Sequence, residues 1–180
     1  MSTSQIVVGY DFRQPSDVAV QYAVEFATRD PEEVLHFVVV LGARESYREA
    51  ERVRKDLLLV LAEVFRMRDA PAEVQFYVHA RIGDPADEIM AVAQDVGADL
   101  IVLGCHERGA VERMLLGSVS TKVLHNARCP VLVARKKSYK HVDLEPVVEV
   151  EPSHTHRALP HRYTYSSNVA QLRPNEWPIS

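Results

Sequence analysis

Short apolar runs alternate with longer amphipathic stretches along the first 135 residues of the chain. Each run is rich in β-branched residues and is bounded by turn-forming or charged residues, which is typical of buried strands. The third run alternates between apolar and polar positions, which predicts a strand with one wetter face. The five predicted strands cover residues 5–10, 33–43, 73–81, 99–104 and 130–135.

The stretches between these runs repeat their apolar side chains every three or four residues, as amphipathic helices do. Ser16 or Asp17 is the expected N-cap of the first helix, because short polar side chains accept hydrogen bonds from the free N–H groups there. Pro85 suits the first turn of the third helix, and Gly97 suits its C-cap. The four predicted helices cover residues 16–27, 45–69, 86–96 and 118–127.

This alternation predicts an α/β fold, because strands joined by helices form parallel sheets with helices on both faces. We expect a single doubly wound domain with a five-stranded parallel sheet flanked by helices. Ligands of such sheets bind beyond the carboxyl ends of the strands, where the strand order reverses. In this chain those ends are Asp11, residues 37–41, residues 81–83 and Gly104.

The last part of the chain lacks this periodicity and mixes proline, histidine, tyrosine and acidic residues. We therefore predict a domain over residues 1–137 and an irregular C-terminal extension over residues 138–180. The extension holds the only tryptophan, Trp177. Its aromatic residues suggest that it packs on its own domain or on a partner subunit.

The composition of the chain argues against several classes of protein and binding partner. A formal net charge of −4 over 180 residues gives no general attraction to nucleic acid or anionic lipid. No apolar run approaches the roughly 20 residues needed to span a bilayer, and the sequence MSTSQIVVGYD has no signal-peptide pattern. Two cysteines, Cys105 and Cys129, are too few for a disulfide framework. These features predict a cytoplasmic protein with neither a nucleic-acid nor a membrane partner.

The segment GCHERGAVERMLLGS, residues 104–118, carries the strongest chemical signal. It leads from the fourth predicted strand to the fourth predicted helix, and a glycine-rich turn at a helix N-terminus offers N–H groups and a favourable dipole to an anion. Its spacing is neither that of a P-loop nor that of a GxGxxG turn. Ser118 could equally serve only as an N-cap. From these residues alone, a phosphate site and a structural turn both remain open.

Three stretches together resemble the universal stress protein family: Asp11 after the first strand, GDPADEI after the third, and LGCHERGAVERMLLGSVSTKVLHNARCPVLV at the fourth and fifth. The resemblance covers about residues 4–136. It implies a five-stranded α/β domain of the adenine-nucleotide α-hydrolase-like type, which usually dimerises through its last strand. Many members bind ATP, often with a divalent metal such as Mg²⁺, through a motif of the form G-x2-G-x9-G-S/T.

Carried onto this chain, the family pattern assigns the adenosine to Asp11 and to main chain at the end of strand two, at Phe37. It assigns the phosphates to the glycine loop and the Gly-Ser turn, at Gly104, Gly117, Ser118 and Val119.

The departure from the motif is Glu107, which stands where the second glycine is expected, with Gly109 displaced by two residues. Glutamate loses the positive φ and close approach that glycine allows. Its charge would repel a phosphate about 4 Å away by about 4 kcal/mol at an effective dielectric constant near 20. Arg108, Arg113 or a bridging Mg²⁺ could offset this repulsion, and Glu107 could itself ligate the metal.

Two functional hypotheses follow. In the first, the protein is a stress-response regulator that binds ATP or another adenine nucleotide, with little or no catalysis because no residue is placed to activate water. In the second, it is a scaffold for an unknown protein partner, and Glu107 has impaired the cleft. Asp11 and the retained LLGSVS favour the first hypothesis, whereas Glu107 favours the second.

Other candidates for chemistry are weaker. Cys105, His106 and Glu107 are adjacent, and adjacent residues rarely converge on one substrate atom. His36 lies within an apolar strand, which indicates a hydrogen-bonded core histidine. The histidines of the extension, His154, His156 and His161, would be poorly preorganised for a metal. We therefore predict no catalytic residue and no metal ligand.

The predicted last strand, Pro130–Arg135, is apolar and would form an exposed sheet edge if unpaired. Natural proteins avoid such edges. This observation and the family pattern both predict a homodimer through that strand.

Overall fold

The computed structural model describes residues 3–30, 32–71, 73–105, 116–136 and 165–166. The strands are β1 (Ser4–Tyr10), β2 (Glu33–Leu41), β3 (Gln75–Ile82), β4 (Leu100–Gly104), β5 (Val131–Ala134) and β6 (Tyr165–Ser166). The helices are α1 (Gln14–Arg29), α2 (Tyr47–Met67), α3 (Pro85–Val96) and α4 (Ser118–Asn126). The predicted strands and helices are all present, with ends within two or three residues of the expected ones.

The strands form one parallel sheet in the order β5-β4-β1-β2-β3-β6. The chain builds outward from β1 through β2 to β3, then crosses back to place β4 on the other side of β1. The strand order therefore reverses between β1 and β4, and this doubly wound parallel sheet confirms the predicted fold class. The reversal separates the carboxyl ends of β1 and β4, which opens a crevice there.

The strand β6 was not predicted, since the whole extension was expected to be irregular. Tyr165 and Ser166 pair in parallel with Phe76 and Tyr77 of β3, at the edge of the sheet opposite β5. A pairing of two residues leaves no alternation that a sequence pattern could show.

The two faces of the sheet carry apolar clusters of different size. Helices α1 and α2 cover one face with the larger apolar cluster, in which Phe37, Phe65 and Phe76 contact one another. Helices α3 and α4 cover the other face with a smaller cluster around Ile89 and Leu103. Successive side chains of a strand point to opposite faces, so each strand divides its residues between the two clusters.

Helices α2 and α3 are capped by residue types that favour those positions, whereas α1 is not. Ser46 caps α2, and Asp84 caps α3 by accepting hydrogen bonds from two backbone N–H groups. Gly97 ends α3 with φ 65°, as predicted. The predicted N-cap of α1 was wrong: the helix begins earlier, its N-cap is Arg13, and the Arg13 side chain makes no capping bond.

Candidate functional site

A cleft of about 390 Å³ opens at the carboxyl ends of β1 and β4, where the strand order reverses. Its volume falls in the usual range for small-molecule sites. The ends of β1 and β4, the middle of β2 and the first turns of three helices form its walls. The lining residues are Gly9, Tyr10, Asp11, Arg13, Ser16, Val38, Val40, Pro85, Ile89, Leu103, Gly104, Gly117, Ser118, Val119 and Ser120.

A strained turn joins β1 to α1 on one side of the cleft. Phe12 has a φ of 60°, which is uncommon for a residue with a side chain, and its ring packs edge-on against Tyr10 at 5.0 Å. The Asp11 carboxylate accepts a hydrogen bond from Arg13 N at 3.2 Å. The Ser16 hydroxyl donates to Arg13 O at 2.7 Å and accepts from Asp11 N at 3.3 Å. These bonds hold Asp11 and Arg13 together at the mouth of the cleft.

Tyr10 anchors the same turn from the apolar face of the sheet. Its hydroxyl donates to the Asp17 carboxylate at 2.7 Å, and both residues are buried. Burial, followed by the bond to Asp17, raises the pKa of Tyr10 far above its usual range. Tyr10 therefore stays protonated and remains a donor throughout the physiological pH range.

Gly104 closes the bottom of the cleft because α1 packs directly on it. A Cβ at this position would lie 2.1 Å from the carbonyl oxygen of Pro15. The Gly104 carbonyl also accepts a hydrogen bond from the Ser120 hydroxyl at 3.3 Å. This glycine thus joins the start of α1 to the start of α4, and it has a packing role whatever the cleft binds.

The inner wall of the cleft is apolar. Val38 and Val40 of β2 line it together with Ile89 of α3 and Leu103 of β4. Phe37, whose main chain the family pattern assigns to the adenosine, is not among the residues that line the cleft, and its side chain is fully buried in the cluster beneath α1 and α2. The reason is the two-residue alternation of a strand, which turns Val38 and Val40 to the face opposite Phe37.

Charged residues link α3 and α4 beside the cleft. The Lys122 ammonium contacts the Asp84 carboxylate at 3.1 Å and the Asp87 carboxylate at 2.8 Å. Hydrogen bonds to Asp87 and then Asp84 raise the pKa of Lys122. The Asp87 backbone N–H and then Lys122 lower the pKa of Asp84. These groups are exposed, so the bridge orients the two helices more than it stabilises the fold.

Three helices, α1, α3 and α4, begin at the cleft, where Ser16, Pro85 and Ser118 line it. Each helix N-terminus carries a partial positive charge. In α3 the Asp84 carboxylate already accepts hydrogen bonds from the N–H groups of Ala86 and Asp87. The Gly117 cap of α4 supplies no side-chain bond, so its first turn has N–H groups available. The arrangement favours an anion at the cleft mouth beside an apolar inner wall.

The structure brings most of the predicted site residues together. Asp11, Gly104, Gly117, Ser118 and Val119 all line the cleft. Glu107 and Gly109 lie outside the described residues. Arg13, Ser16, Val38 and Val40 were not predicted as site residues, although strand alternation around Phe37 could have indicated the two valines.

His36 is a hydrogen-bonded core histidine, as predicted. Its Nε2 lies 2.8 Å from Gln5 Oε1 and its Nδ1 lies 3.0 Å from His79 Nε2. Burial lowers the pKa of His36 to about 4. Burial, then the charges of His36 and Arg81, lower the pKa of His79 to about 3. The pair is neutral at pH 7 and does not line the cleft.

Metal-ligating side chains do not cluster in the described residues: no three of His, Cys, Asp or Glu lie close enough to hold an ion. The histidines of the extension are outside that part of the chain. Among the helices that the structure describes, none is long and apolar enough to cross a membrane.

Comparison with known proteins places the chain in a family. Residues 3–135 match the model of the universal stress protein family. Universal stress protein MJ0531 of Methanocaldococcus jannaschii is 34% identical over 140 residues, covering 73% of this chain and 82% of that protein.

Two solved structures share the fold. One is a universal stress protein in complex with cAMP, with a TM-score of 0.58, 21% identity, and coverage of 76% of this chain and 100% of the other. The second is the universal stress protein from Archaeoglobus fulgidus in complex with dAMP, with a TM-score of 0.55, 24% identity, and coverage of 75% and 100%. The family match over residues 3–135 and the 34% identity to MJ0531 identify the chain as a member of the universal stress protein family.

Proposed function

We propose that this protein binds an adenine nucleotide, ATP with Mg²⁺ in the first instance, in the cleft between β1 and β4. The observation that carries the proposal is the division of that cleft into an apolar inner wall and a mouth formed by three helix N-termini. A purine ring suits the first region and phosphates suit the second. The adenine nucleotides bound by two structural neighbours, cAMP and dAMP, agree with this assignment.

Each part of the nucleotide has a matching group. Val38, Val40 and Ile89 offer an apolar surface for the base. The Asp11 carboxylate can accept hydrogen bonds from ribose hydroxyls. The start of α4, at Gly117 and Ser118, offers backbone N–H groups to phosphate oxygens.

Mg²⁺ fits the same arrangement through the nucleotide. Magnesium in proteins is usually held by substrate phosphates, water and one or two carboxylates. In the described part of the cleft Asp11 provides one carboxylate, and Ser16 and Ser118 provide two hydroxyls to the lining. The phosphates would therefore supply most of the ligands.

We propose binding rather than turnover as the function, so that nucleotide occupancy regulates contacts with other molecules. Within the described cleft residues, Asp11 is the one carboxylate, and it lies 3.9 Å from the Arg13 guanidinium. The described lining holds no second carboxylate and no histidine to complete an acid–base pair with it.

Nucleotide retention tests this proposal. The full chain is purified without added nucleotide and denatured, and the released small molecules are identified by chromatography and mass spectrometry. An adenine nucleotide near one equivalent per chain supports the proposal. A chain that releases none, and whose thermal midpoint does not rise in millimolar MgATP, contradicts it, because a ligand of the native state must stabilise that state.

A second candidate function is that of a scaffold without nucleotide, favoured by the acidic Glu107 at a motif glycine position. Glu107→Gly separates the two. Under the nucleotide hypothesis, the variant binds ATP more tightly because a repulsive charge has been removed. Under the scaffold hypothesis, neither the wild type nor the variant binds ATP.

We also propose a homodimer through β5. This strand forms one edge of the sheet, and Val131, Leu132 and Val133 are only half-buried. The carbonyls of Pro130 and Ala134 accept hydrogen bonds from β4. Because backbone groups alternate along a strand, those of Val131 and Val133 face the open edge, where a second copy could pair with them.

Proline substitution tests the dimer. Val133→Pro removes an N–H that faces the open edge, and we expect it to shift sedimentation from dimer to monomer with the fold retained. Leu132→Pro is the matched control, because it removes an N–H on the β4 side and should destabilise the monomer itself. A wild type that sediments as a monomer at tens of micromolar contradicts the proposal.

A further inference from the structure

We propose that Arg13 is the specificity-determining residue of the cleft and that it binds the phosphate attached to the ribose. The inference rests on the proposed function and deepens it, because it makes phosphate, rather than adenosine alone, the group that the cleft selects. It also assigns a ligand role to a residue that the glycine-loop motif does not contain.

The first support is the position of Arg13 on a turn that is held rigidly. Arg13 N donates to the Asp11 carboxylate, and Arg13 O accepts from the Ser16 hydroxyl. Phe12 between them adopts a left-handed conformation that is unfavourable for an L residue. Such strain persists only where surrounding contacts impose it, and it is concentrated at ligand sites.

The second support is that Arg13 occupies a position where a small polar residue would serve the helix better. It is the N-cap of α1, yet its side chain makes no capping bond. Ser, Thr, Asp and Asn are preferred at this position. Arg13 instead lines the cleft, and its side chain is 73% exposed.

The third support is the loose pairing of Arg13 with Asp11. Arg13 Nε lies 3.9 Å from Asp11 Oδ2, too far for a hydrogen bond, so the guanidinium can exchange partners. A nucleotide would bind to both groups at once, because its ribose hydroxyls would donate to Asp11 and the adjoining phosphate would accept from Arg13. Guanidinium donors match phosphate oxygens in a bidentate geometry.

Calorimetry with adenosine, AMP and MgATP on the full-length wild type, Arg13→Ser and Arg13→Lys tests this role. Arg13→Ser places a favourable N-cap at the site, so α1 should fold at least as well as before. We expect this variant to bind AMP and MgATP about 10- to 100-fold more weakly and adenosine unchanged. The affinity of Arg13→Lys for AMP and MgATP should lie between those of the wild type and Arg13→Ser, because lysine keeps the positive charge but lacks the paired donors of a guanidinium. Arg52→Ser, an exposed change on α2, is the matched control.

Each other result has a distinct meaning. Equal losses for adenosine and for the phosphorylated ligands would show that Arg13 only shapes the turn, and unchanged AMP and MgATP binding would show that it contacts no phosphate. Either result overturns the role of Arg13 while leaving nucleotide binding intact. A wild type that binds none of the three ligands overturns the proposed function and this inference together.

Discussion

The two ends of the sheet each carry a cavity, and the two cavities are alike in size but not in chemistry. The cleft at the carboxyl ends of the strands has a volume of about 390 Å³, and a groove at the amino ends has about 320 Å³. The groove lies between the last turns of α3 and α4. Its lining residues are Met90, Ala93, Gln94, Gly97, Ala98, Ile101, Asn126, Ala127, Arg128 and Cys129.

Chain direction, more than volume, distinguishes the two cavities. The N-terminal ends of the same two helices face the cleft and their C-terminal ends face the groove, so the partial charges of the helix dipoles are opposite in sign. A strained turn with Asp11 and Arg13 adjoins the cleft alone. In the groove, burial raises the pKa of the Cys129 thiol, which keeps it protonated near pH 7.

The largest expected difference comes from replacing one glycine at each cavity. Gly104→Ala drives a Cβ into the Pro15 carbonyl at 2.1 Å. We expect it to lower the free energy of unfolding by about 3 kcal/mol, because backbone atoms must move, and to abolish nucleotide binding. Gly97→Ala meets no neighbouring atom and should cost only about 1 kcal/mol through its left-handed backbone, with binding unchanged.

Denaturant unfolding and calorimetry on these two variants measure the difference. Gly42→Ala, where a Cβ would contact nothing within 4 Å, serves as the neutral control. If Gly104→Ala unfolded at the same denaturant concentration as Gly42→Ala, the close packing of α1 on the cleft would be refuted.

Acid should have an intermediate effect on the free energy of unfolding, through a histidine pair that lines neither cavity. His36 and His79 are neutral in the fold, with pKa values of about 4 and about 3, whereas in the unfolded chain they bind protons below about pH 6.5. Stability should therefore be lost as the pH falls from about 6.5 towards 4. We expect the two histidines together to lower the free energy of unfolding by about 2 kcal/mol between pH 6.5 and 5.5, and the loss should be smaller in the His36→Gln/His79→Gln variant.

Urea titrations at several pH values give the dependence of the free energy of unfolding on pH for the wild type and for the double variant. Gln5, Tyr77 and Arg81 are the polar neighbours of this pair, and they are common to both proteins. Identical slopes for the wild type and the double variant would refute the assignment of the acid sensitivity to the two histidines.

The smallest of the three effects concerns one carboxylate at each end of the sheet. Asp11→Ala should weaken ATP binding about tenfold, because it removes an acceptor for the ribose and the bond that orients Arg13. Asp99 lies at the amino end and accepts from Gln5 N at 2.8 Å. Asp99→Ala should leave ATP affinity unchanged, and equal losses in both variants would remove the distinction between the two ends.

The fold was predictable because period-two and period-3.6 patterns recur without interruption as far as β5. The strand ends at Tyr10 and Gly104 then placed Asp11 and the Gly117-Ser118 turn at one edge of the sheet. Alternation also decides which side chains of β2 face the cleft, and it turns those of Val38 and Val40 towards the cleft and that of Phe37 to the opposite face.

The remaining site residues could not be predicted for physical reasons. Arg13 became part of the cleft because α1 begins at Gln14, and the position of that start depends on the Ser16 hydroxyl bonding back to Arg13 O. Such a bond between a side chain and the backbone of a turn leaves no periodic pattern of apolar residues in the sequence from which it could be predicted. The pairing of His36 with His79 joins strands β2 and β3 across 43 residues of sequence, which spacing alone does not reveal.

The central claim is that the carboxyl-end cleft holds an adenine nucleotide, and a calorimetric titration of MgATP into the nucleotide-free full-length protein tests it most directly. We expect saturable heat with one site per chain, with the affinity retained in Gly97→Ala and weakened about tenfold in Asp11→Ala. No saturable heat up to millimolar MgATP, or saturable binding that Asp11→Ala leaves intact, would contradict it.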